Sequence, residues 1–532
     1  MVAAVIYAAP ARQVWQLKAI SPESRVKSQE TVYVRLAGDE YYHYWETRDG
    51  KLAVEQADGT FVVTDEPVPT PSEVQARRMA SPLQAYRAPQ SVGKINLAPR
   101  GLVILVSYKD LAFQAENDSA AMSDMMNKLG YDYNGATGSA RDYFIAQSNG
   151  QYQPVFDVVG PVTLPKNRAD YGGNIGGDNT DKDPKQMIVD ACKAVDAKVD
   201  FTKYDNDGDN KIDFVYILYA GIGENDFDGE KDAVWAHNNS AYSKNCTLDK
   251  KRLDNYACSG EIDGITKARS GIGTFCHEFG HVIGFPDYYD TTYGTNYNQG
   301  LTPNNWSTMD HGCYNNDVNT PPNYSIFDKY YFGWVTPKVL APGAQLTITL
   351  GTEYDEGFQI NGNESLVLFS HPDTVYYIEN RQLQGWDAAL PGHGLLVWQV
   401  VYNASAWSAN TPNNVAYKPR YTVISAAGGY IGFDFCLKED DKGNCTLYEK
   451  STYNTFPGSK NVTSIKLIEG IELTDIAEKD GKITFKVNEG DVVSGDAKIQ
   501  NTEYRVQKIL RNGQIFILRG DKTYTIMGQQ HN

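Results

Sequence analysis

His277-Glu278-Phe279-Gly280-His281 sets two imidazoles four positions apart, with a carboxylate beside the first. On an α-helix, residues i and i+4 share a face, so both rings can reach one metal ion; this H-E-x-x-H pattern is that of a zinc site. Glu278 then stands where it can take a proton from a water on the ion, as the general base of a hydrolysis. The chain holds only eight histidines in 532 residues, so a chance match is rare. A helix with two packed or surface histidines is the alternative. A catalytic zinc keeps three protein ligands and leaves one position for water. A glutamate on a later helix is one source of the third, but the next Glu after Glu278 is Glu353, beyond an expected change of domain. Asp287 lies ten residues after His277, the distance of the third ligand in H-E-x-x-H-x-x-G-x-x-H, and Gly284 occupies the glycine position. A glycine there can leave the helix in a left-handed turn and bring the chain back to the metal. Asp290 competes with Asp287 for this role. Met309, in WSTMD, lies where a methionine turn would run beneath the metal. His311 and Tyr314, just beyond it, are candidate oxyanion donors, with loop packing as their alternative.

A second constellation is Asp205-Asn206-Asp207-Gly208-Asp209-Asn210-Lys211-Ile212-Asp213. Asp205, Asp207, Asp209 and Asp213 fall at loop positions 1, 3, 5 and 9, which resembles half of a calcium loop. Asn210 stands where glycine is usual, and asparagine tolerates the left-handed conformation. Position 12, normally a bidentate Glu, is Tyr216. A structural calcium ion and a solvated acidic turn both fit.

These residues need elements to hold them. GLVILVSY and DFVYILYAGIG are continuous apolar runs that suit strands buried on both faces. Helical patterns fall around 115–148 and 185–199, and GIGTFCHEFGHVIG reads as a helix ended by Gly284 and Pro286. Alternating strands and helices make residues 98–336 an α/β domain. Before it, residues 12–66 are β-rich, with a hairpin signal at Asp58-Gly59. Residues 67–97, rich in Pro, Ser, Ala and Arg, form a linker with candidate cleavage sites. Residues 337–490 show recurrent short strands between turn residues, an all-β sandwich pattern. Residues 491–532 read as hairpins around Asn512-Gly513 and Gly520-Asp521.

Length predicts three or four units. The formal charge of −17 argues against a nucleic-acid partner, which needs a basic surface. No stretch is long and apolar enough to span a membrane. MVAAVIYAAPA, residues 1–11, is short, apolar and rich in small residues, as in the remnant of an export signal, although a basic start is missing. The expected location is secreted or at the cell surface, and the expected state monomeric. Of seven cysteines, Cys246/Cys258 and Cys436/Cys445 are near enough in sequence to bridge; buried free thiols are the alternative.

GTFCHEFGHVIGFPDYYD, NNWSTMDHGCYN and DKYYFGWV resemble the immune inhibitor A family of metallopeptidases (M6), which are metzincin-like. DFTKYDNDGDNKIDFVYILYAGIGE and VWAH are similar to segments upstream of that family's zinc helix. TVYVRLAGDEYYHYWETRDG is similar to its propeptide, and YYIENRQ with LPGHGLLVWQV to its later β region. Gln399 departs from a histidine frequent there. The resemblance implies a multidomain protein: an α/β zincin (metzincin-like) catalytic domain, preceded by a small β-rich propeptide and followed by an all-β sandwich. It implies a secreted bacterial zinc endopeptidase acting on proteins or peptides and made as a zymogen. No cysteine precedes Cys192, so a cysteine switch is excluded, and latency would rest on a carboxylate such as Asp39 or on steric blockage. The final hairpins resemble tails that direct or attach secreted proteins in Bacteroidetes-type bacteria, with a small β-cap as the alternative. A different class of function, a secreted adhesin with an inactive peptidase-like domain, would be marked by a missing ligand or a missing Glu278; none is missing.

Overall fold

The computed structural model describes residues 7–22, 24, 31–70, 73–74, 77, 98–175, 180–292, 302–340, 345–348, 358–361, 374–415, 419–426, 455–458, 460–468 and 471–489, with backbone strands between 506 and 531. Most of the expected linker, Cys436, Cys445 and the hairpin turns at Asn512-Gly513 and Gly520-Asp521 lie outside the described residues.

Two apolar runs become the centre of a six-stranded sheet. Its members are β1 (Tyr7–Ala8), β7 (Arg100–Ser107), β8 (Val155–Thr163), β10 (Val215–Ile222), β11 (His237–Ser240) and β14 (Asn255–Ile262), in the order β1-β11-β14-β10-β7-β8. β7, β8, β10 and β14 run parallel, and the middle positions of β7 and β10 are buried Val, Ile, Leu and Tyr, as expected where both faces are covered. β11 reverses direction against β14 and carries His237, Asn238, Asn239 and Ser240, all buried. The helix Gly273–Ile283 packs beneath this sheet, with Phe275 and Phe279 set among Phe156, Phe214 and Tyr216. Further helices, Ser119–Asn127, Ala140–Gln147 and Pro184–Val195, fall where helical spacing places them. A small sheet of β9 (Lys211–Ile212), β12 (Thr247–Leu248) and β13 (Lys251–Leu253) ties down the end of the acidic loop.

Ahead of this unit, β2 (Gln16–Ala19), β3 (Thr31–Asp39), β4 (Tyr42–Thr47), β5 (Lys51–Glu55) and β6 (Phe61–Pro67) form a sequential antiparallel sheet. The start of β4 packs against the six-stranded unit: the His43 ring stacks on Trp235, with centroids 4.6 Å apart, and its Nε2 lies 3.2 Å from the Glu224 carboxylate.

Beyond residue 336 come two further sheets. β15 (Lys338–Val339), β17 (Phe358–Asn361), β18 (Thr374–Arg381), β19 (Gly394–Val401) and β20 (Tyr421–Val423) form one; β16 (Gln345–Ile348), β21 (Ile465–Ile468), β22 (Ile471–Lys479) and β23 (Lys482–Glu489) form the other. Ile378, Leu395 and Val397 of the first share a core with Leu473, Ile483 and Phe485 of the second. Alternation along the strands divides the side chains between two faces. The opposite face of β18–β20, with Tyr377, Trp398 and Tyr421, joins the main core formed by the six-stranded sheet and the helix Gly273–Ile283. This region also contains a short helix, Ala404–Ser408, which the all-β reading did not include. The chain ends in a sheet of β24 (Val506–Arg511), β25 (Gln514–Arg519), β26 (Lys522–Thr525) and β27 (Gln530–His531).

Candidate metal centre

Every residue of Gly273–Ile283 is buried, and two glycines explain how it fits. A Cβ on Gly273 would sit 1.8 Å from the Cys313 carbonyl oxygen, and one on Gly280 would sit 2.5 Å from Met309 Sδ. Met309 therefore lies directly against the helix between the two histidines. Gly284 ends the helix at φ 119°, its N–H donating to the Gly280 and His281 carbonyls. This left-handed turn brings Asp287 back over the helix.

His277 Nε2 and His281 Nε2 lie 3.2 Å apart, and Asp287 Oδ1 is 3.2 Å from the first and 3.3 Å from the second. Tetrahedral zinc with bonds of about 2.0–2.1 Å needs donor atoms about 3.3 Å apart, so this triangle fits the ion. The ring nitrogens on the far side are committed: His277 Nδ1 lies 2.8 Å from the Thr308 carbonyl and His281 Nδ1 2.9 Å from that of Phe285. Donation from Nδ1–H leaves each Nε2 lone pair for a metal. Burial would raise the Asp287 pKa, but the His281 and His277 rings hold it below the usual carboxylate range. Asp290 is turned away, accepting from the backbone N–H and hydroxyl of Thr292. Burial pushes the Glu278 carboxyl well above its ordinary pKa, against the pull of the His277 ring and the Ala9 N–H.

The apolar N-terminal stretch enters this centre. β1 pairs antiparallel with the outer edge of β11, Tyr7 opposite Asn238 and Ala8 opposite His237. The Ala8 carbonyl oxygen lies 3.2 Å from His277 Nε2 and accepts from the Tyr289 hydroxyl at 2.6 Å. Trp235 Nε1 donates to the Ala9 carbonyl at 2.9 Å, and the Tyr314 hydroxyl to that of Pro10 at 2.6 Å. Arg12 follows, buried, its guanidinium shared among Asp226, Asp263 and Asp317. Residues 7–12 thus fill the cleft, and His277, Glu278 and Asp287 are each 0% exposed.

Of the two candidate oxyanion donors, Tyr314 contacts the cleft chain two residues beyond Ala8, and His311 holds its Nδ1 2.6 Å from Asp310 Oδ1. Tyr289, absent from the sequence reading, is the hydroxyl on the carbonyl at the histidines. A tyrosine two residues past Asp287, in FPDYYD, was the available signal. Asp39 accepts from the Tyr41 N–H at 3.0 Å and is not part of the metal cluster.

Asp205, Asp207, Asp209 and Asp213 each bring a carboxylate oxygen within 4.8 Å of the others. Asp205 accepts from the N–H groups of Gly208 and Asn210, and Asn210 adopts φ 66°. The Lys251 ammonium reaches both Asp205 and Asn210. Cys192, Cys246, Cys258, Cys276 and Cys313 are free and buried, so Cys246 and Cys258 are not bridged.

Residues 108–335 match the family described as immune inhibitor A peptidase M6, catalytic domain. The chain is 29% identical over 217 residues to an immune inhibitor A of Bacillus thuringiensis subsp. alesti, covering 36% of this chain and 31% of that one. It is 28% identical over 208 residues to a pre-pro-metalloprotease PrtV of Vibrio cholerae, covering 34% and 22%. The match therefore spans less than a third of the length of either relative. No helix among the described residues is long and apolar enough to cross a membrane.

Proposed function

We propose, for a chain whose residues 108–335 belong to the immune inhibitor A peptidases of family M6, that it is a secreted zinc-dependent endopeptidase acting on proteins. One observation carries the reading: an extended peptide lies antiparallel along β11 and sets its carbonyl against His277, beside Glu278. His277, His281 and Asp287 would hold the zinc, which supplies Lewis acidity and lowers the pKa of water. The β11 edge aligns the substrate backbone, as in strand addition to an open sheet. Glu278 takes the proton of the attacking water and returns it to the leaving amine. Tyr289 donates to the oxygen that gains negative charge. Met309 supports the helix from below. The acidic loop at Asp205, Asp207, Asp209 and Asp213 is read as a structural calcium site.

Residues 12–66 act as a propeptide, and residues 7–12 close the cleft by steric blockage, so activation requires their removal, with cleavage in 67–97 as the expected route. The test is hydrolysis of casein by the processed chain, by Glu278→Ala and by the wild type with a zinc chelator, with bound zinc assayed alongside. Chelator-sensitive cleavage, lost in Glu278→Ala while one zinc is retained, supports the mechanism; a processed wild type without zinc refutes it.

A further inference from the structure

We propose that Asn410, which lies beyond the family-matched stretch, is a positioning residue of the metal centre and fixes the carboxylate of Asp287. The proposal rests on reading Asp287 as the third zinc ligand. Asn410 is 1% exposed and uses both atoms of its side-chain amide on this one residue. Its Nδ2 donates to Asp287 Oδ2 at 2.6 Å, and its Oδ1 accepts from the Asp287 backbone N–H, also at 2.6 Å. The two oxygens of Asp287 are thereby given different work. Oδ2 is tied to Asn410, and Oδ1 faces the two histidine nitrogens.

A carboxylate on a short side chain can rotate about its terminal bond and present either oxygen, or both, to a metal. The double clamp removes that freedom and selects one-oxygen ligation before the ion arrives. Two neighbours also bind the same loop. Asn413 donates to the Tyr288 carbonyl at 2.6 Å, and Asn414 donates to the Thr291 hydroxyl at 2.8 Å. Tyr288 also stacks on Tyr421, with centroids 3.9 Å apart. The segment 410–414 therefore holds the loop at Asp287, Tyr288 and Thr291, and Asn410 is the residue that reaches the carboxylate. Asn410 sits at φ 55°, which asparagine tolerates and most residues do not.

The experiment is zinc affinity in the full chain, by competition with a chromophoric chelator, beside the thermal transition of the zinc-free protein. The variants are Asn410→Asp, which keeps the acceptor and loses the donor, and Asn410→Gly, which removes the side chain at no backbone cost. Asp287→Ala is the reference. Both Asn410 variants are expected to bind zinc about 10–100-fold more weakly, the range for lost outer-shell partners, with the zinc-free transition near that of wild type. A side chain that only held the loop would lower that transition and leave zinc affinity unchanged; that result, or wild-type affinity in both variants, overturns the proposal. If Asn410→Gly does not fold, the near-isosteric Asn410→Asp carries the test. If Asp287→Ala also binds zinc like wild type, the ligand assignment has failed and the role of Asn410 falls with it. Peptidase activity enters none of these readouts, so an inactive but zinc-binding protein would refute the proposed catalysis alone.

Discussion

Tyr289→Phe removes one hydroxyl from the carbonyl that lies at His277. If that hydroxyl stabilises the developing oxyanion, kcat of the processed enzyme on a peptide falls about 10²–10³-fold while KM hardly moves. An equal rise in KM with kcat unchanged would reassign Tyr289 to substrate binding. Gly280→Ala drives a methyl group into Met309 Sδ and should cost about 1–3 kcal/mol in denaturant titration, through overpacking. A stability equal to wild type would mean that Met309 moves aside. His277, Glu278 and His281 could be read in advance because a helix converts spacing directly into a shared face. Asp287 and Gly284 followed because a turn of fixed length has few ways back to the same point. Tyr289 and Asn410 could not be read that way. Beyond its place in FPDYYD, Tyr289 is marked out by a chain segment some 280 positions away, and Asn410 by a partner 123 positions earlier. Neither distance has a periodic signature.

Asp213 belongs to an element whose chemistry depends on pH. Burial, reinforced by Asp207 and Asp209, pushes its carboxyl up to about 6, against hydrogen bonds from Asn206. Without a cation, the folded loop favours the protonated form, so this group's contribution to stability is present at low pH and is lost as pH rises through about 6. Calcium needs the ionised form, so its affinity should rise with pH up to about 6 and then level off. Calorimetric titration with calcium at pH 5 and pH 7 checks this, and equal affinities would remove Asp213 from the ligand set. The turn itself was legible, since Asp-Asn-Asp-Gly-Asp is a run of residues that cap their own backbone. Lys251, which reaches Asp205 from β13, was not, because that pairing arises from the small sheet rather than from the loop. Parallel buried strands and helix periods were readable for the same local reasons, and the short helix Ala404–Ser408 was missed because one turn carries too little pattern.

Over the whole molecule, the apolar stretch at the start of the chain is where composition said least about placement. Small residues suited to an export signal also suit a narrow cleft, and Ala8 and Ala11 pack with Leu36 and Trp235. Arg12→Ala should loosen this segment, because three carboxylates lose their shared guanidinium. The uncut chain carrying that change should hydrolyse casein faster than the uncut wild type, and equal rates would show that Arg12 does not hold the cleft closed. A change to a strand-rich pattern near residue 337 was visible, but the continuity of the main core through Trp398, Trp407 and Tyr421 was not, since packing between distant segments leaves no mark on either one. The proposed seating of substrate on β11 would limit which proteins can be cut. The outer edge of that strand pairs with the main chain of Tyr7 and Ala8, and a folded protein keeps such groups paired within itself. A target bound in the proposed way would have to surrender a stretch of its own structure before lying along β11. With cleavage slow relative to refolding, digestion rates across a set of targets would rank by how often each one opens, not by how many suitable bonds its sequence contains. The protein would act as a selector of damaged or loosely folded neighbours, sparing intact ones at the same concentration.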